Sequence, residues 1–197
     1  VTHRRMYVTG GIGSAYEGEA FTRDYHLPND TAYAETCAAV ALVMFARRML
    51  LLDPRAEYAD VMERALFNGV LAGMQLDGKR FFYVNPLEAL PGISGQAATH
   101  RHALAQRPQW FACACCPPNV ARLLTSLGRY AWGVFDGTVY SHLFVAGTLT
   151  LPAAIGGSIT LATDYPASGM LCYRIHAPQG TASFTLAIRL PAGAPLT

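Results

Sequence analysis

Charge is scarce in this sequence, and what there is nearly cancels. Of 197 residues, 14% are Asp, Glu, Lys or Arg, and the formal net charge is +2. Both signs are scattered, whereas a nucleic-acid binder gathers basic residues on one face or stripe, so that class is excluded. An unbroken apolar run of membrane length is also missing. The most apolar stretch, 38–52, is interrupted by Arg47 and Arg48. It falls short of the roughly 20 residues that a membrane span requires and reads as a helix buried on several sides. The start, Val-Thr-His-Arg-Arg, carries neither an initiator Met nor the apolar segment of a signal peptide. The other end, 191–197, stops in turn-like residues just after a good strand pattern. Both ends therefore read as cuts in a longer chain. Finally, there is no disulfide framework: five unevenly spaced cysteines are an odd set without scaffold spacing. Reduced thiols are expected, and with them a cytoplasmic setting.

What is present is apolar substance. A hydrophobic fraction of 52% in a chain of this length supports a real core and one or two domains. Residues 7–31 are rich in turn formers, and Gly10-Gly-Ile-Gly13 lacks both the GxGxxG spacing and a Walker lysine. A tight turn beside a site is the better reading than a phosphate loop. A helix is expected up to about Leu52. Asp53-Pro54 then reads as N-cap and first helical residue of a second helix reaching about Gln75, which makes an antiparallel helical hairpin with a two-residue link. A short strand is expected over 79–86, a long loop over 88–109, and a third helix from the 117–118 prolines to about Trp132. From Thr138 the texture changes to short runs split by Gly and Pro. Phe184, Leu186, Ile188 and Leu190 alternate as a half-buried strand should. A boundary is placed near 135–137, helical before it and β-sandwich-like after it.

The chemistry gathers in Trp110-Phe-Ala-Cys-Ala-Cys-Cys-Pro-Pro-Asn119 and, far upstream, in Tyr33-Ala-Glu-Thr-Cys37. Adjacent Cys115 and Cys116 can reach one ion from an extended segment, and the prolines that follow favour extended geometry before them and a helix after them. The positive end of that helix favours thiolates. Glu35 and Cys37 are two residues apart, which on a regular helix puts them on nearly opposite faces. If both bind one metal, the segment must be extended or an irregular first turn, with the helix starting around 36–38. Three thiolates and a carboxylate would form a soft, zinc-like tetrahedral set. A thiol-rich core is the competing reading, with Cys37 as a plain core residue of an alanine-rich helix. Cys113 is a spare thiol, and Cys172, in an expected strand, reads as a core residue. Glu19, in a turn between apolar groups, suits a partly desolvated general acid, against the alternative of a solvated loop residue. Glu63 shares a helix face with Ala59, Leu66 and Val70, and Tyr83 reads equally as core or site wall. His26, His100 and His102 are loop histidines with no assigned role.

Several segments together resemble glycoside hydrolase family 127, whose best-known activity is β-L-arabinofuranosidase. They are 7–14 (Tyr-Val-Thr-Gly-Gly-Ile-Gly-Ser), 18–21 (Gly-Glu-Ala-Phe), 27–37, 63–69 (Glu-Arg-Ala-Leu-Phe-Asn-Gly), 82–86 and 110–119, continuing through Asp164-Tyr-Pro166. The resemblance implies an α+β multidomain fragment: residues 1–136 as the later part of an (α/α)6 barrel, and 137–197 as the start of an antiparallel β-sandwich. It implies Glu35, Cys37, Cys115 and Cys116 as ligands of Zn2+, Cys115 also as nucleophile, Glu19 as general acid/base, and Glu63 and Tyr83 as sugar contacts. The implied partner is an L-arabinofuranoside-like sugar, without nucleic acid or membrane, and a homodimer is expected of the longer protein. Two departures stand out. His26 replaces an expected acidic residue, and Pro191-Ala-Gly-Ala lacks an expected aromatic. Family sugar-binding histidines lie upstream of residue 1, so the fragment alone is expected to be inactive. The rival functions are a structural zinc–thiolate staple and another sugar-active toroid enzyme, an epimerase or lyase, without cysteine catalysis.

Overall fold

The computed structural model describes residues 1–194; the last three residues of the expected second domain lie outside them. The fold is mixed α+β, and the chain separates into two compact units. The first comprises 1–48 and 60–124, the second 49–59 and 125–197.

In the first unit, residues 1–35 run as turns held by the single bridges Met6–Ile12 and Ala15–Ala20. Gly10 takes a φ of +87°, and a Cβ there would lie 2.8 Å from the Ala65 backbone nitrogen. The glycine is thus required twice, by conformation and by close approach. Tyr7, Ala32 and Ala34 form a small buried cluster with Leu27 and Leu87 against it.

Helix α1, Thr36–Leu52, starts where a shared metal site demanded. It buries Ala39, Val40, Leu42, Val43, Ala46 and Leu50. A stripe of Ala41, Phe45, Arg48 and Leu52 at helical spacing stays exposed, so the expected burial on several sides stops at that stripe. The Asp53-Pro54 reading is corrected. The Asp53 amide donates to the Met49 carbonyl at 2.8 Å and so completes the last turn of α1. Helix α2 begins only at Ala56 and runs to Arg64, which leaves a three-residue link. It continues as a π-helical turn, Ala65–Val70, and a 3-10 turn, Leu71–Gly73. At Gly69 a Cβ would meet that of Ala39 at 2.8 Å, so this glycine lets the π turn seat on α1.

The expected strand at 79–86 is also corrected. It forms only the bridges Met74–Phe81 and Glu35–Val84. Its two halves bond to different partners, Phe82 N–H to the Gly73 carbonyl and Asn85 N–H to that of Tyr33, so no continuous ladder develops. Helix α3 is Cys116–Thr125 and helix α4 is Gly128–Ala131. The single helix expected here is therefore broken at 126–127.

In the second unit, β1 (Trp132–Phe135) and β2 (Thr138–Ser141) form an antiparallel hairpin. Its turn carries positive φ at Asp136 and Gly137, the combination that matches strand twist. The 135–137 stretch is thus a turn between two strands, with a strand already before it. Strands β3 (Gly147–Thr150), β4 (Ser158–Ala162) and β5 (Cys172–His176) form an all-antiparallel sheet. Strand β6, Thr185–Ile188, returns to pair parallel with β2, Val139 opposite Leu186. Val139, Leu143, Phe144, Ile159 and Leu161 are buried. Two expectations fail here. Cys172 is exposed, on the edge strand β5. Ile188 and Leu190 are exposed while Arg189 between them is buried. The Arg189 Nε donates to the His142 carbonyl at 2.7 Å, and its guanidinium lies 4.9 Å from the Phe144 ring centre. That bond and ring contact anchor the arginine inward and turn the neighbouring apolar side chains out. No helix among the described residues is long and apolar enough to cross a membrane.

Candidate active site

Glu35 is the last extended residue before α1, bridged to Val84 and buried. The kink that delivers it is Ala34, a non-glycine residue at φ 39°. Asn85 holds that kink: its Nδ2 donates to the Ala34 carbonyl at 2.9 Å and to Thr36 Oγ1 at 3.0 Å. Thr36 in turn donates from its hydroxyl to the Phe82 carbonyl at 2.9 Å. Cys37 is already in the first helical turn. An extended residue followed by a helical one lets side chains two positions apart converge, as the sequence required.

Cys115 and Cys116 sit at the start of α3. The Asn119 amide donates to the Cys115 carbonyl at 3.3 Å, so Cys115 occupies the cap position and Cys116 is the first helical residue. The expectation that both thiols lie off the helix holds for Cys115 alone. Pro117 and Pro118 follow in the first turn, where amide protons have no helical partner, so they cost no hydrogen bond. They also remove two of the amides that would otherwise point out of this helix end.

The four side chains meet. One ligand atom from each of Glu35, Cys37, Cys115 and Cys116 lies within 4.8 Å of all the others. The Sγ of Cys37 is 3.3 Å from that of Cys115 and 3.5 Å from that of Cys116. The two adjacent sulfurs are 3.8 Å apart, and Cys115 Sγ is 3.5 Å from Glu35 Oε1. A tetrahedron with metal–sulfur bonds of about 2.3 Å has sulfur–sulfur edges of about 3.8 Å. The donors therefore stand near the spacing of one coordination shell, and their chemistry suits a thiophilic divalent ion.

Electrostatics agree. Burial pushes the Cys37 thiol up to about 12, opposed by the hydrogen bond from Asn119. Burial, and next the Cys37 charge, push Cys116 further in the same direction. Ionised side by side, these groups repel one another, and a cation relieves that repulsion. Cys113 is exposed and outside the cluster.

Of the remaining predicted residues, Tyr83 is the one with a contact to Cys115. The Tyr83 hydroxyl is 3.2 Å from Cys115 Sγ, which is the leading cause of its raised pKa, ahead of burial. Tyr83 is thus a site wall. Its ring packs against Phe111 with centroids 5.6 Å apart and against Tyr33 at 6.3 Å. Glu19 is exposed, not desolvated as expected, at a φ of 48° in a short 3-10 turn. It accepts a 2.7 Å hydrogen bond from the buried Tyr33 hydroxyl. Burial first, and then Glu19, raise the Tyr33 phenol pKa, so that hydroxyl remains a donor. Glu63 is half-buried on α2, on the face whose Ala59, Leu66 and Val70 are buried; it is not part of the four-residue cluster. Among the histidines, His100 pairs with Asp30 at 2.9 Å, His26 bonds Thr22, and His102 stacks on Tyr16 with ring centres 4.7 Å apart.

Two residues escaped the sequence reading. Tyr33 precedes Glu35 by two and bonds Glu19 across the intervening turn. Asn119 follows Cys116 by one helical turn and donates from Nδ2 to Cys37 Sγ at 3.0 Å. The helical spacing of Asn119 from Cys116 was an available signal.

Comparison with known proteins points the same way. Residues 1–129 match the family model described as beta-L-arabinofuranosidase, GH127 catalytic domain. A non-reducing end β-L-arabinofuranosidase of Bifidobacterium longum subsp. longum is 48% identical over 195 residues, covering 97% of this chain and 29% of its own length. A crystal structure of a GH127 β-L-arabinofuranosidase from Geobacillus stearothermophilus superposes with a TM-score of 0.92 at 48% identity, over 98% of this chain and 30% of that one. A second GH127 β-arabinofuranosidase structure gives 0.82 at 39% identity, over 95% and 28%. The chain thus spans about a third of the length of the relatives it matches.

Proposed function

Since this chain belongs to glycoside hydrolase family 127, we propose that it forms part of a retaining glycosidase acting on β-L-arabinofuranosides, with Cys115 as nucleophile and Glu19 as general acid/base. The observation that carries this reading is the placement of Cys115, whose sulfur belongs to the Glu35–Cys37–Cys115–Cys116 set and also touches the Tyr83 hydroxyl. In this reading residues 1–136 belong to the later part of an (α/α)6 barrel and 137–197 to the beginning of a β-sandwich. The metal is zinc, which suits three thiolates and one carboxylate. When bound, it keeps the Cys115 sulfur deprotonated at neutral pH.

The chain's own groups then act in two steps. Glu19 gives its proton to the glycosidic oxygen while the Cys115 sulfur attacks the anomeric carbon. The carbon–oxygen bond breaks, the alcohol leaves, and a thioglycosyl bond forms. Glu19, now a carboxylate, takes a proton from water as the water oxygen attacks the same carbon. The carbon–sulfur bond breaks and the thiolate returns. Tyr33 orients Glu19 through its hydrogen bond, and Tyr83 holds the Cys115 sulfur. Glu63 is assigned to the sugar hydroxyls by its family motif. The five cysteines are free, which suits a reducing, cytoplasmic compartment.

The rival reading is a structural metal staple. Four protein donors with no open position are the usual structural pattern; membership of a glycoside hydrolase family favours the catalytic reading. The test is a sugar-shaped electrophile followed by peptide mass spectrometry. In the full-length protein one adduct at Cys115 is expected, absent from Cys115→Ala, together with loss of arabinofuranoside hydrolysis in that variant. Full turnover by Cys115→Ala would sink the nucleophile assignment.

A further inference from the structure

The Asn119 carboxamide lies between two partners of α3 and α1. Its Nδ2 donates to Cys37 Sγ at 3.0 Å. Its Oδ1 accepts from Arg122 Nη2 at 2.8 Å. Asn119 and Arg122 are one helical turn apart on α3, the separation at which side chains on one face meet. The same Arg122 nitrogen lies 3.9 Å from Met44 Sδ on α1, so the exposed guanidinium reaches from one helix to the other. A carboxamide that accepts from a cation is polarised, and its N–H becomes a stronger donor to an anionic sulfur. The charge account makes this matter. Ionised, the four ligands Glu35, Cys37, Cys115 and Cys116 carry four negative charges, and a divalent ion answers only two.

We propose that Arg122, acting through Asn119, is a positioning and charge-balancing residue for the Cys37 thiolate, and so sets how firmly the four-residue centre holds its metal and how much electron density Cys37 gives it. The relay is one-sided: of the three ligand sulfurs it reaches Cys37. This inference rests on the metal-centre reading above.

The test uses cobalt(II) as the probe metal. It reads affinity by competition with a chelator and the near-ultraviolet sulfur-to-cobalt absorption. Outer-shell partners of metal ligands are worth about 10–100-fold in affinity when lost. Asn119→Leu removes such a partner, whereas the exposed Arg122 acts one bond further out, so Arg122→Gln should lose about two- to fivefold, and Arg122→Lys, which keeps the charge, should recover most of it. Asn119→Leu should move the absorption band to lower energy, because the sulfur loses its donor, with Arg122→Gln moving it the same way by less. Equal losses in Arg122→Gln and Arg122→Lys, or a band unmoved in both Asn119→Leu and Arg122→Gln, overturn the relay. An original protein that takes up cobalt without any sulfur-to-cobalt band sinks the metal-centre reading itself, and the relay with it. Should Asn119→Leu fail to fold, the Arg122 pair alone decides.

Discussion

Tyr33 ties the exposed carboxylate of Glu19 to the buried side of the site. Its ring is 5% exposed and its hydroxyl donates at 2.7 Å. Glu19 itself is a non-glycine residue at positive φ, a conformation that costs of order 1 kcal/mol or more and persists only where surroundings hold it. Removing the Tyr33 hydroxyl frees the carboxyl without emptying the space the ring fills. A hydrogen bond to a charged group is worth about 1.5–3 kcal/mol. Tyr33→Phe should therefore lower kcat roughly tenfold or more with KM little changed. The loss should be greater for alkyl arabinofuranosides than for activated aryl ones, because poor leaving groups depend most on Glu19's proton. Equal losses for both substrate classes would remove Tyr33 from the acid step. Much of this residue-level chemistry was legible in the sequence. That Glu35, Cys37, Cys115 and Cys116 come together was legible because adjacent thiols before two prolines and a Glu-Thr-Cys triplet share soft-donor chemistry. The relation of Tyr33 to Glu19 did not, because a turn between 19 and 33 had first to bring them together.

At the scale of elements, the turn-rich N-terminal stretch is held by tight contact rather than by regular structure. Gly10 and Gly78 make a controlled pair. Both have positive φ, but a Cβ at Gly10 meets the Ala65 backbone while one at Gly78 meets nothing within 4 Å. Gly78→Ala should cost about 1 kcal/mol, the conformational term alone. Gly10→Ala should cost about 2–4 kcal/mol, since the π-helical turn must also shift; urea midpoints measure both. The same stretch is clamped by Asp24, which accepts from Arg5 at 2.7 Å and from Arg4 at 3.0 Å. Those bonds, Arg5 first, hold its carboxyl below the usual range. A lowered carboxyl pKa stabilises the fold above the unfolded value, about pH 4, and the gain is lost as pH falls through the folded value. The melting difference between the original protein and Asp24→Asn should be constant from pH 5 to 7 and close below about pH 4. Elements were less legible than residues for an identifiable reason. Asp53-Pro54 fits a helix start on local preference, yet its amide closes the preceding helix instead. Residues 79–86 read as a short strand from their aromatic and β-branched run but divide between two partners. Cys172 and Ile188 look like core until the edge position of β5 and the inward turn of Arg189 are known.

For the molecule as a whole, the four-residue centre joins segments 78 positions apart in the chain. A metal bound there would cross-link them, since binding energy at such a site is also folding energy. Stripping the metal with a chelator should lower the melting temperature by several degrees, with recovery on adding zinc back. A melting point indifferent to metal would show that the packing around α1 and α3 holds alone. The parallel pairing of β2 with β6 has a consequence in time. The partner of Val139 is Leu186, so on the ribosome β2 must wait for about 45 further residues before that edge can close. At about 5–20 residues per second the wait is roughly 2–9 seconds. During that interval one side of the hairpin is an open template for other nascent chains, and a slow codon or a chaperone acting between residues 141 and 185 would change the yield of folded protein without changing the protein.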